Sequence, residues 1–328
     1  MKKHNARFRI AVMIFAGLMI AVTAAYFALH KSYVQQRWDL TWDGLDAALL
    51  EKSTGNITCL ETAPNGEVWG CTDRGLIHFD GNQWTFTTLD ALLHVSDVAI
   101  APDGQVWALN STGEVFRYDG SFWMEETGSY HLNDLTFTPD GTLWAATADG
   151  LASYNGTNWI QSPLDFSTGN NASLWCATTA PDGSLWVGNS TINQTLYHVE
   201  GEIAAGYQPQ ESYGYIQRVS VSPNGTIWMY SMGEKTEVTG LSQFKDGIWT
   251  TYNPERLQWM SMKIYLIYAM DSDRDGAAWI GTTKGACRFN GRWCQPVVRN
   301  ETVYAVHTAA DGSVWLGLKN AVIRLEQR

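Results

Sequence analysis

One turn-and-tryptophan motif recurs seven times along the chain. The fragments APNGEVW, APDGQVW, TPDGTLW, APDGSLW, SPNGTIW, DRDGAAW and AADGSVW end at Trp69, Trp107, Trp144, Trp186, Trp228, Trp279 and Trp315. Their mean spacing is about 41 residues. A period of about 40–50 residues belongs to propeller blades or to helical arrays. The local pattern excludes helices, because an Asp-Gly or Asn-Gly pair sits between two short β-rich runs and signals a hairpin. A second hairpin follows in most units: GLIHFDGNQW, EVFRYDGSFW, GLASYNGTNW, GLSQFKDGIW and GACRFNGRWC, which carry Trp84, Trp123, Trp159, Trp249 and Trp293. The fourth unit, TLYHVEGEIA, keeps the turn and lacks the Trp. Four antiparallel strands joined by short turns make one blade, and seven blades fall within the usual range of about four to eight.

The two ends of the chain test this reading. The seventh unit stops at AVIRLEQR, after a third strand, while QRWDLTW at residues 36–42 matches the fourth-strand pattern NQWTFTT at 82–88. The N-terminal strand is therefore expected to complete the last blade, with Trp38 in the place of Trp84, so that no open edge remains. The expected fold is all-β, a seven-bladed β-propeller of four-stranded antiparallel blades over residues 36–328. This explains why 16 Trp outnumber 11 Phe. One Trp on each second strand and one on most fourth strands fill the wedge between neighbouring blades. Trp42 falls to the closing segment, and Trp175 and Trp259 remain outside the repeat.

Ahead of the propeller, residues 10–29 (IAVMIFAGLMIAVTAAYFAL) carry no charge. Twenty apolar residues at about 1.5 Å each match a hydrocarbon thickness of about 30 Å. Lys2, Lys3, Arg7 and Arg9 precede the run, and the first acid is Asp39. The expectation is a cytoplasmic basic tail (1–9), a transmembrane signal anchor (10–29) and a linker (30–35). The cell-membrane protein is then single-pass, with its N-terminus cytoplasmic and its propeller extracellular or periplasmic. A cleaved signal peptide ending near Val22-Thr23-Ala24 is the rival reading. Net charge is −11, and without those four basic residues it is −15. Such a surface repels phosphate backbones, so no nucleic-acid partner is expected.

Export permits disulfides among the five Cys. A two-residue Asn290-Gly291 turn would set Cys287 directly opposite Cys294. Cys59 and Cys71 face each other similarly across Asn65-Gly66, with the register open by one residue. Both are candidate pairs, and Cys176 has no evident mate.

The stretches AAWIGTTKGACRFNG (277–291), SLWVGNS (184–190) and TLWAATADGLASYNG (142–156) resemble the repeat of the two-component-regulator propeller family, over about residues 36–328. The resemblance implies the extracytoplasmic sensor part of a bacterial regulator, in which the propeller binds ligands. No kinase or DNA-binding segment follows the last blade here, so direct signalling by this chain is not expected. The Pro-Asp-Gly-x-x-Trp turn is also similar to that of the streptogramin-lyase family, another seven-bladed propeller. The His/Glu/His catalytic grouping which that resemblance implies has no counterpart: Thr308 follows His307, and no Glu-x-His occurs.

A site is sought where the repeat breaks. Residues 161–174, 205–215, 230–239 and 253–266 lengthen connections that all fall on one face, opposite the short turns. Loops on a rigid scaffold are the usual place for recognition. The residues beginning each first strand, Thr58, Ser96, Asn133, Trp175, Gln217, Tyr268 and Tyr304, approach the channel from that same face. The candidate ligand-binding set is Trp175, Tyr213, Tyr215, Gln217, Trp259, Tyr268 and Tyr304, aromatics with polar tips suited to a glycan, a peptide or a partner protein. The plainer alternative is a packed channel mouth. No catalytic residue, cofactor or metal is expected. Asp271-Ser-Asp273-Arg-Asp275-Gly276 starts like a calcium loop, but its twelfth position is Thr282 instead of Glu. His94, His131 and His307 keep no ligand spacing with a carboxylate or Cys. An enzyme reading, of the lyase or hydrolase type, would require Asp97, Asp134, Arg218, His94, His131 and His307 to converge, which is not expected. An envelope-scaffold reading would require an exposed apolar patch.

Overall fold

The computed structural model describes residues 38–41, 54–88, 93–126, 131–166, 173–190, 195–208, 214–232, 239–252 and 266–327. The apolar run at 10–29 lies outside the described residues. Among those described, no helix is long and apolar enough to cross a membrane. By its contacts the chain divides into two units, Trp42–Arg324 and a smaller one of Met1–Thr41 with Leu325–Arg328. The cavity and the site residues described below belong to the larger unit.

The described strands form seven four-stranded sheets, the blades of a β-propeller. Six blades take their four strands in chain order. The seventh runs Trp38–Thr41, Val322–Gln327, Val314–Gly317, Ala305–Thr308.

The turns follow from sequence in every blade. In the first, the Gly66 N–H donates to the Ala63 carbonyl at 2.9 Å and the Ala63 N–H to the Glu67 carbonyl at 2.8 Å. Asn65 Oδ1 accepts the Glu67 N–H at 3.1 Å. Gly66 has φ +87°, a left-handed conformation that glycine adopts at no steric cost. The loop thus holds five residues, and Thr62 pairs with Val68. This register sets Cys59 opposite Cys71, and a disulfide joins them with a Cα separation of 4.8 Å.

Hydrophobic clusters sit between adjacent blades. Trp228 packs with Tyr230, Leu241, Ile280 and Phe289 across blades five and six. Trp315 and Val322 of blade seven pack with Ile57, Ile77 and Trp84 of blade one. The second-strand Trp residues are buried, apart from a half-buried Trp144. Large rings are needed because twisted sheets diverge outward and leave a wedge between them.

Trp293 departs from the series. The fourth-strand partners of Phe79, Tyr118, Tyr154 and Phe244 are Trp84, Trp123, Trp159 and Trp249. The partner of Phe289 is Cys294. Asn290 Oδ1 accepts the N–H groups of Arg292 at 3.0 Å and Trp293 at 2.8 Å. The Asn290 N–H donates to the Trp293 carbonyl at 3.2 Å. The turn spans 290–293, the same length as 80–83 in blade one, but Trp293 follows its glycine one residue sooner than Trp84 does, so Cys294 takes the buried place. Trp293 stays in the turn, 49% exposed. Cys287 accordingly opposes Pro296, not Cys294. Its disulfide to Cys294 runs diagonally, with a Cα separation of 5.7 Å. Cys176 is free and buried.

Candidate functional site

Each first strand of blades one to six breaks register at one place: between Ile57 and Cys59, Val95 and Asp97, Leu132 and Asp134, Leu174 and Cys176, Ile216 and Arg218, and Ile267 and Ala269. The skipped residues are Thr58, Ser96, Asn133, Trp175, Gln217 and Tyr268. In blade seven Tyr304 takes the same place, its N–H on the Gly317 carbonyl while Ala305 pairs with Gly317. A β-bulge leaves one residue out of the ladder and re-aims its side chain. The non-repeating positions read from sequence are thus the bulge residues of a seven-fold series.

All of them lie at the strand ends where blade-to-blade connections arrive. Trp175 is 47% and Tyr268 40% exposed. Tyr215, Gln217 and Tyr304 are half-buried. The rings of Tyr268 and Tyr304 meet at 5.2 Å between centroids. The Tyr230 hydroxyl donates to the Tyr268 carbonyl at 3.1 Å, which fixes the bulge. Blades four to seven therefore present Trp175, Gln217, Tyr268 and Tyr304 in succession. Tyr213 and Trp259 lie outside the described residues.

A second feature sits deeper. The first strands of all seven blades line a cavity of about 380 Å³ on the channel axis, with Glu61, Asp97, Asp134, Arg218, Asp271 and His307 in its wall. Three of the acids stitch one blade to the next. Asp97 Oδ2 accepts the Leu135 N–H at 2.9 Å, and Asp134 Oδ2 the Ala177 N–H at 2.8 Å. Asp271 Oδ2 accepts the Thr308 N–H at 2.7 Å and its hydroxyl at 2.9 Å. His307 Nδ1 lies 3.5 Å from Glu61 Oε2 and 3.8 Å from Asp271 Oδ2. Arg218 Nη1 lies 3.8 Å from Asp134 Oδ1.

Burial, reinforced by the Asp134 charge, lifts Asp97 well above the usual carboxylate range. Burial also raises Asp134, with Arg218 opposing it. The two carboxylates are coupled, and Asp97 is the more strongly raised, so the one proton that such a pair shares is expected on Asp97. Burial works against the charge of Arg218, yet Asp134 and Asp97 outweigh it and hold its pKa above the ordinary value. The Arg218 side chain is still 46% accessible, because that surface faces the lumen. Burial raises Glu61, with His307 opposing.

A raised folded-state pKa means that the stabilisation is fully present below the unfolded value, about 3.9 for Asp, and is lost as pH rises through the folded value. Asp97→Asn imitates the protonated acid, with a donor toward Asp134 and an acceptor for the Leu135 N–H. Its melting temperature at pH 8 is expected to equal or exceed that of the wild type, with a smaller gain on going to pH 5. Asp97→Ala orphans the Leu135 N–H and should cost about 1–3 kcal/mol. A destabilised Asp97→Asn with wild-type pH dependence would refute the shared proton.

Of the six residues that an enzyme reading requires, Asp97, Asp134, Arg218 and His307 line one channel. His94 and His131 are exposed and do not. The loop that begins like a calcium site spends its acids otherwise. Asp273 accepts from the Trp279 indole at 3.0 Å and from Arg288 Nε, and Asp275 accepts from Arg288 Nη2 at 2.9 Å. Among the described residues, no group of three or more His, Cys, Asp or Glu is placed to hold a metal ion. The channel cluster was missed in sequence because no blade supplies more than a residue or two of it. The available signal was polar residues at alternate positions of first strands that are otherwise apolar.

No family model matches this chain, and no curated protein does. Solved structures match in fold. A streptogramin B lyase superposes with a TM-score of 0.67 at 15% identity, covering 89% of this chain and 98% of that one. A virginiamycin B lyase from Staphylococcus aureus gives 0.67 at 14% identity, covering 88% and 99%. The extracellular domain of a hybrid two-component system from B. thetaiotaomicron gives 0.61 at 14% identity, covering 88% of this chain and 39% of that one. The propeller is shared with the sensor domains that the repeat resembles, and equally with lyases. At these identities the likeness concerns the fold.

Proposed function

We propose that this chain is a membrane-anchored, extracytoplasmic, non-catalytic binding or sensing propeller. Its blade-connection face engages a glycan, a peptide or a partner protein. The observation that carries the reading is the bulge series, which turns Trp175 and Tyr268 out to solvent with Tyr304 beside them, on the face that also bears the irregular connections. Flat rings with polar edges suit a partly hydrated, partly apolar ligand. The extracellular sensor domains with the same fold support the reading. Against catalysis, Asp97, Asp134 and Asp271 already spend carboxylate oxygens on backbone N–H groups of the next blade. The large exposed apolar residues Phe122, Ile203, Ile248 and Trp293 sit singly at the third-to-fourth strand turns of separate blades, a scatter that needs no scaffold role.

The test is a Trp175→Ala/Tyr268→Ala double variant. Both side chains are exposed, so stability should change by less than about 1 kcal/mol. Capture of the partner from envelope extract is expected to fall at least tenfold. Undiminished capture by a variant that melts like the wild type would overturn the reading.

A further inference from the structure

The channel cavity holds two charged groups of opposite sign whose hydrogen-bonding capacity is largely unspent. Arg218 reaches the lumen with its side chain 46% accessible, and its one ion-pair contact among the described residues is Asp134 Oδ1 at 3.8 Å, beyond hydrogen-bond range. A guanidinium in that state offers a planar fork of donors to a carboxylate. The neighbouring acids do not fill it, since Asp97 and Asp134 turn their Oδ2 atoms to the Leu135 and Ala177 N–H groups.

Glu61 stands on blade one, on the other side of the ring from Arg218 on blade five. Its side chain is 39% accessible, and its one ion-pair contact among the described residues is His307 Nδ1 at 3.5 Å. Asp271 differs from it, because Ser220 Oγ and Ser272 N–H occupy one of its oxygens and Thr308 the other. Between the two charges the wall carries Thr136, Thr178 and Ser220. The cavity volume of about 380 Å³ falls at the small end of ligand sites, which run about 300–1,000 Å³.

The geometry points to a site for a small zwitterion of the α-amino acid type, its carboxylate on Arg218 and its ammonium on Glu61. The ligand enters from the side of the short turns, whose residues Pro223, Arg274, Ala310 and Gly312 line the cavity. That entrance lies at the opposite ends of the first strands from Trp175 and Tyr268, so this site stands independently of the blade-connection face.

The test is thermal shift and calorimetry on the full chain in detergent, with the twenty common amino acids and, for each one that binds, its des-amino and decarboxylated analogues. At least one amino acid is expected to raise the melting temperature by about 5–10 °C at a hundredfold excess over Kd. Both analogues should bind at least tenfold more weakly. Arg218→Lys and Glu61→Gln should each weaken the amino acid at least tenfold, while Trp175→Ala/Tyr268→Ala leaves it unchanged. Glu61→Gln removes no structural hydrogen bond, so it remains informative if Arg218 variants fail to fold. Absence of any stabilising amino acid, or an amine that binds as tightly as the intact zwitterion, would overturn the assignment. So would binding that Glu61→Gln leaves untouched.

Discussion

Replacing Trp228 by alanine is expected to lower the melting temperature by about 10–15 °C, while the same change at Trp293 should move it by less than about 2 °C. Trp228 is 0% exposed. Its ring lies 5.8 Å from Tyr252 and 5.7 Å from Phe289 between centroids. Its indole N–H donates across the blade boundary to the Gly276 carbonyl at 3.0 Å. Removing such a ring costs about 3–5 kcal/mol in transfer and cavity terms, and the orphaned carbonyl adds to this. Trp293 stays in its turn with Arg292 over its ring at 5.8 Å, and substitutions at such surface sites stay within about 0.5 kcal/mol. Calorimetry on both variants separates the two cases. A large loss at Trp293 would contradict the four-residue turn in blade six.

Deleting residues 33–42 should cost more than 10 °C, or about 3 kcal/mol and upward. In the seventh sheet Trp38–Thr41 neighbours Val322–Gln327. Without it, the strand holding the buried Ile323 and Leu325 becomes an edge, with a row of unpaired backbone groups. Val322 on that strand belongs to the cluster joining blades seven and one, so the damage reaches the seam of the ring. The expected products are a protein that melts early and a soluble fraction that aggregates. A deletion variant with the wild-type melting temperature would show that the N-terminal strand contributes nothing.

Much of this architecture was legible because the Trp period and the Gly turns are written once per blade. The seven first hairpins share one turn, and Gly66 and its equivalents mark where it closes. Register was less legible. In blade six, as in blades one to three, the first turn residue accepts two N–H groups and closes a four-residue loop where a turn pair suggests two, which moves the partner of Cys287 two places along, from Cys294 to Pro296. Trp293 follows its turn glycine one residue sooner than Trp84 does, so it falls inside the loop and Cys294 takes the place of Trp84. The bulge residues were legible as breaks in the repeat, although nothing in one strand alone announces a bulge. The channel cluster was not legible as a cluster. Glu61, Arg218 and His307 lie on three different blades, and only closure of the ring brings them around one cavity.

The most direct test of the functional account compares the two faces of the propeller. Glycan and peptide arrays would be probed with the wild type, with Trp175→Ala/Tyr268→Ala, and with Phe122→Ala/Trp293→Ala on the short-turn face. All three preparations, matched for stability, should be read at equal concentration. The account predicts that signal survives in the second pair and is lost in the first. Signal lost in the second pair and kept in the first would place recognition on the opposite face and contradict it.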